Sequence, residues 1–170
     1  MSRAPVRILG IDTSLRSTGV AVVESLGSAL RAIDYGLIRN PPARSHSASL
    51  AHLHAELGGW IERHRPEVAA VEGIFFCRNV RTAMTLGEAR GVALAACAAR
   101  GLAVHEYAPR EAKRALTGNG GATKDQVARM VKLLLALRED PPEDAADALA
   151  LAVCHAQAGT GRRLGLAKIV

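Results

Sequence analysis

Two short apolar runs, VRILGID at 6–12 and VAAVE at 68–72, each end in a carboxylate. Runs this short, rich in Val, Ile and Leu, read as buried strands, so each delivers an acid at its tip. LAVHEY at 102–107 is a third such strand. Between and after them the apolar period becomes helical. Leu50, Leu53, Leu57, Trp60 and Ile61 line one face of a helix over about 47–64, with Trp60 read as core. Residues 80–100 form a helix crowded with Ala and Gly, Pro109 opens a short helix to about 116, and Thr123 caps a helix over 124–138. A last helix covers about 143–157. Residues 18–24 and 30–38 are two further strands joined by a turn at Gly27-Ser28, which makes the opening an antiparallel meander. Strands alternating with helices predict an α/β sheet covered on both faces. One domain over 1–157 is expected, with 158–170 a basic, loosely held tail.

Composition excludes several classes. No apolar stretch approaches a membrane span, and the first one reaches Asp12 too soon for a secretory signal. Cys77, Cys97 and Cys154 are scattered and odd in number, so neither a disulfide framework nor a CxxC zinc site is expected, and a reducing cytoplasm is the default. His52 and His54 are two apart, the wrong spacing for a metal pair on one helix face. The GNGG turn at 118–121 is not followed by GK[ST], so no nucleotide cofactor is expected.

The formal charge is +6 and is unevenly spread. Residues 73–138 hold eleven basic and four acidic side chains, whereas 139–147 hold five acids and no base. A basic middle suits a polyanionic partner such as nucleic acid. Ligands of open α/β sheets bind at the carboxyl ends of parallel strands, where Asp12 and Glu72 are expected as neighbours. Asp144 and Asp147 share one face of the last helix, which continues to the apolar Leu151 and so leans toward protein. Singly, each acid has an ordinary explanation as a cap or a first-turn residue favoured by the helix dipole. Together they repel, and their pKa values rise unless a cation neutralises them. An all-carboxylate set favours Mg²⁺ or Mn²⁺ over zinc. Two ions about 4 Å apart would clamp a phosphodiester, activate water and stabilise the leaving oxygen.

The order GID (10–12), VEGIFF (71–76), LGEARG (86–91), EYAPREAKRALTGNG (106–120), TKDQV (123–127) and DAADALALA (144–152) resembles the RuvC family of bacterial Holliday junction resolvases. The resemblance runs colinearly from about residue 6 to 157. It implies an RNase H-like fold, a five-stranded mixed sheet in order 3-2-1-4-5 with strand 2 antiparallel. It implies that Asp12, Glu72, Asp144 and Asp147 form a catalytic, metal-holding tetrad. It marks Lys113 and Lys124 as basic residues beside the site and Phe75 as an aromatic that opens or stacks at the junction. It also implies a homodimer, cleavage at a short T-rich sequence and the RuvAB branch-migration complex as a partner. One departure is visible. Family members often read GIDPG, and this chain reads GIDTS, so the turn after Asp12 loses a glycine.

Phe75 and Phe76 are two of only five aromatics in the chain, and both sit in the loop after Glu72. With Arg78 and Arg81 nearby, one Phe is expected to face DNA and the other to pack inward, Phe75 being the outward one. Lys113 and Lys124 are expected to contact phosphates, and Arg110, Arg114, Arg129 and Lys132 to position DNA. The Ala/Gly helix is expected at a dimer interface, although packing on the sheet would use the same residues. Three rivals stay open: a related nuclease acting on ribosomal RNA precursors, a junction-binding protein without catalysis, and one half of a sugar-kinase or actin-like ATPase.

Overall fold

The computed structural model describes residues 4–73, 79–158 and 168–170. The opening meander is β1 (Val6–Asp12), β2 (Ser17–Leu26) and β3 (Ala29–Arg39), each antiparallel to the one before. Helix α1 (His46–His64) leads to β4 (Val68–Glu72), which lies parallel to β1, and α2 (Val80–Ala98) leads to β5 (Ala103–Tyr107), parallel to β4. Then come α3 (Pro109–Thr117), α4 (Lys124–Leu134) and α5 (Glu143–Ala158). The expected 3-2-1-4-5 order is present, with β2 antiparallel.

A sixth, two-residue strand, β6 (Lys168–Ile169), extends that order beyond β5. The five-strand order leaves β5 at an open edge with unpaired backbone groups. The chain end satisfies part of that edge: Ile169 pairs antiparallel with His105, and Val170 donates its N–H to the Val104 carbonyl at 3.1 Å.

The strand period of two sorts side chains to two cores. Leu9, Ile11, Val20, Val22, Ala69 and Val71 face α1 and α2, packing with Leu53, Leu57, Ala93 and Ala96. Ile8, Ala21, Val23, Val68 and Ala70 face the other way, against α3, α4 and α5. Trp60 packs at the margin of the first core, as expected of a residue on the apolar face of α1. The same alternation puts Asp12 (in step with Ile8) and Glu72 (in step with Val68 and Ala70) on the α5 side. Behind them, the buried Arg90 of α2 forms an ion pair with Glu106 of β5, so the helix bearing LGEARG is tied to the strand beside Glu72.

Helix α4 ends at Leu134, four residues before the sequence pattern predicts. The chain turns there through a left-handed Ala136 at φ 48°. Leu137 N–H reaches back to the Lys132 carbonyl at 2.9 Å and Ala136 N–H to the Leu133 carbonyl at 3.3 Å. This is a Schellman closure with alanine where glycine is the usual residue. A Cβ is strained in that conformation, so Ala136→Gly is expected to stabilise the protein by roughly 0.5–1 kcal/mol. A higher denaturant midpoint at unchanged slope would show it, and a lower midpoint would contradict it.

Candidate active site

Register and alternation together set the site. Ile11 pairs with Val71 across the parallel β1/β4 ladder, so Asp12 and Glu72 emerge side by side at the carboxyl edge. Glu72 in turn pairs with Tyr107 of β5, whose carbonyl accepts the Gly73 N–H at 2.8 Å and fixes the exit from β4. Just beyond β5, Pro109 starts α3, which carries Lys113. Thr123 then caps α4 in a reciprocal box with Gln126 (2.9 and 3.3 Å), which places Lys124 at the first helical position.

Helix α5 completes the site because two glycines let its backbone reach the sheet. A Cβ at Gly10 would stand 1.9 Å from the Ala148 carbonyl oxygen, and one at Gly19 would stand 1.9 Å from that of Asp144. Only glycine fits at such distances. The first turns of α5 therefore rest against the ends of β1 and β2. Asp12, Glu72, Asp147, Lys113 and Lys124 line one pocket of about 210 Å³, whose other walls are Pro109, Ala112, Val127, Ala150 and Leu151.

Asp144 stands beside the pocket rather than in its lining. Its Oδ2 accepts a hydrogen bond from Ser17 Oγ at 2.5 Å. The Thr13-Ser14 turn is closed by the buried Thr18. The Thr18 hydroxyl donates to the Ser14 carbonyl and accepts the Ser14 N–H at 3.2 Å. Buried Asn40 holds the Leu15 carbonyl at 2.8 Å, and Arg16 donates to the Pro41 carbonyl at 2.9 Å. Side-chain hydrogen bonds thus brace the turn, with no positive φ in it.

The electrostatics match a crowded set of acids. Burial, then Asp147, Glu72 and Asp144, push Asp12 from 3.8 up to about 7. Burial and Asp147 raise Glu72, against the pull of Lys113 and Lys124. Burial raises Asp147, opposed by Lys124 and reinforced by Glu143 and Asp144. Lys124 is itself raised, chiefly by its hydrogen bond to Glu143. Among the described residues, no three Asp, Glu, His or Cys side chains are gathered as a ready-made metal cage. The fit to a divalent cation rests instead on the donor set: hard oxygens, no thiolate or imidazole, and mutual repulsion that a cation would relieve.

Of the sequence-predicted residues, the structure gathers Asp12, Glu72, Asp147, Lys113 and Lys124, with Asp144 adjoining. Arg81, in the first turn of α2, is exposed and lines a separate groove with His46, Val80, Met84 and Glu88. Phe75, Phe76 and Arg78 lie outside the described residues. Sequence reasoning missed Ser17, Thr18 and Glu143. The only signal for Glu143 was its place next to Asp144. Nothing in the sequence marked the two hydroxyls.

The family model for Crossover junction endodeoxyribonuclease RuvC matches residues 8–155. The chain belongs to the RuvC family. It is 49% identical over 163 residues to the Crossover junction endodeoxyribonuclease RuvC of Chloroflexus aurantiacus, covering 95% of this chain and 99% of that one. The corresponding protein of Caldicellulosiruptor saccharolyticus is 45% identical over 152 residues, 88% and 92% of the two chains. Among solved structures, Thermus thermophilus RuvC in complex with a Holliday junction substrate superposes with a TM-score of 0.90 at 35% identity, covering 97% of this chain and 99% of that one. The RNase H-like architecture expected from the resemblance is thereby shown.

The raised Asp12 has a measurable consequence. Between its unfolded value near 3.8 and its folded value near 7, the folded state holds the extra proton, so Asp12 costs stability progressively as pH rises through that window. His155 runs the other way: burial, helped by His105, holds it down to about 4. Comparison with Asp12→Asn isolates the aspartate. In chelator, the variant should match wild type near pH 4 and exceed it increasingly up to pH 8, by a few kcal/mol at most. A difference in melting temperature that does not change with pH would contradict this.

Proposed function

We propose that this chain is a structure-specific endonuclease that resolves four-way DNA junctions by paired phosphodiester hydrolysis, in homologous recombination and DNA repair. The carrying observation is a RuvC-family fold whose strand ends and last helix bring four carboxylates together beside two lysines. RuvC-family nucleases are divalent-metal dependent. Asp12, Glu72, Asp144 and Asp147 would hold the ions, Mg²⁺ or Mn²⁺ and two to a site. When bound, such ions supply a water nucleophile at neutral pH and stabilise the leaving oxygen.

The remaining chemistry falls to the chain. Lys113 and Lys124 present positive charge at the pocket rim, where they take up a phosphate of the incoming strand and hold its backbone in register. Lys124 is paired with the exposed Glu143, so phosphate competes with that acid for the ammonium. The apolar walls, Pro109, Val127, Ala150 and Leu151, limit water around the scissile group. Cleavage breaks the P–O3′ bond and leaves a 5′-phosphate and a 3′-hydroxyl, ends suited to ligation. Phe75, Phe76, Arg78 and Arg81 are proposed DNA contacts, Phe75 by stacking at the junction and the arginines through phosphates.

Two symmetric cuts need two sites related by a two-fold axis, which a homodimer supplies. Exposed Val80, Met84 and Leu86 on α2 support a second copy of the chain on that helix. RuvAB is the proposed partner and the cytoplasm the proposed location. Among the described residues no helix is long and apolar enough to cross a membrane.

The test uses a synthetic four-way junction and a linear duplex of the same sequence, with and without Mn²⁺. Wild type is expected to nick the junction symmetrically and to spare the duplex. Asp144→Asn is expected to bind the junction and lose cleavage by at least about a hundredfold, as the loss of one charged ligand implies. Equal cutting of both substrates, or full activity of Asp144→Asn, would contradict the proposal.

A further inference from the structure

Asp144 is the one tetrad carboxylate outside the pocket lining, and among the described residues it is the one with a hydroxyl on it. Ser17 and Gly19 lie two residues apart on β2, so both face α5. At Gly19 the missing side chain admits the Asp144 main chain. At Ser17 the hydroxyl donates to the Asp144 side chain at 2.5 Å. Between them Thr18, on the opposite face and fully buried, anchors β2 to the Ser14 turn through its own hydroxyl. Ser17 therefore projects from a stretch of backbone fixed on both sides, as the first residue of its strand.

We propose that Ser17 is a positioning residue for the cation site: its hydroxyl holds the Asp144 carboxylate in the orientation in which it can share a divalent ion with Asp12. The hydrogen bond fixes a rotamer that repulsion from Asp12 and Asp147 would otherwise scatter. Second-sphere donors of this kind set ligand direction, and their loss costs affinity for the ion rather than the fold. Ser17 is half-buried, at the first position of its strand.

This inference rests on the cation-binding reading of the tetrad, and the experiment separates the two. The full chain, free of DNA, is titrated with Mn²⁺ and followed by its melting temperature, with junction cleavage measured over the same Mn²⁺ range. For Ser17→Ala the midpoint of the Mn²⁺-induced stabilisation should move to about tenfold higher concentration. Ser17→Thr and Ser17→Val are matched in shape and differ in the hydroxyl. The Thr variant should keep the wild-type midpoint, and the Val variant should follow Ser17→Ala. Wild-type midpoints for the Ala and Val variants would overturn the role of Ser17 while leaving the tetrad intact. If wild type itself shows no Mn²⁺ response in stability or cleavage, the cation reading of the tetrad falls, and this inference with it.

Discussion

The backbone of α5 meets β1 and β2 with nothing between them at Gly10 and Gly19, and the rest of the site depends on that contact. A helix packed on a sheet through ordinary side chains stands about 10 Å off, which would leave Asp144 and Asp147 too far from the strand ends to interact with Asp12. With both glycines in place the helix settles until its Asp144 and Ala148 carbonyls occupy the space a Cβ would take. The small residues that follow along α5, Ala145, Ala148 and Ala152, are all fully buried and continue the close fit. Packing thus determines the electrostatics: three segments far apart in sequence deliver acids to one place.

That convergence works against folding stability. Burial and mutual repulsion raise Asp12, Glu72 and Asp147, so the metal-free protein carries an unfavourable interaction at neutral pH. Lys113 and Lys124 offset part of it. The compensation lies elsewhere in the fold, in two apolar layers, in the Arg90–Glu106 pair behind β4, and in the hydrogen bonds that brace the turn after Asp12. Strain concentrated at a site and supported by its surroundings is the pattern expected where a ligand completes the charge balance.

Much of this was legible in the residues. The β1, β4 and β5 runs were readable because buried parallel strands are short and apolar, and Asp12 and Glu72 were readable because they end such runs. Asp144 and Asp147 were readable from helical spacing. The glycines were not, because Gly10 and Gly19 look like ordinary strand interruptions until the helix carbonyls are seen against them. The hydroxyls of Ser17 and Thr18 were equally silent, since their partners lie in another helix or across a turn. The early stop of α4 escaped because its period runs on through Leu135 while the closure is made by backbone, at an alanine that carries no signal. The sixth strand escaped because two residues have no period.

Close approach of α5 compresses the carboxylates. The direct measurement is the Asp12 carboxyl titration by NMR, in chelator, for wild type, Gly19→Ala and Gly36→Ala. Gly36 is the control, since a Cβ there would meet only Trp60, at an ordinary 3.6 Å. Wild type and Gly36→Ala should both titrate near 7. Folded Gly19→Ala, with its helix pushed off the sheet, should titrate nearer the ordinary aspartate value. Unchanged titration of Asp12 in folded Gly19→Ala, or an ordinary value in wild type, would contradict the account.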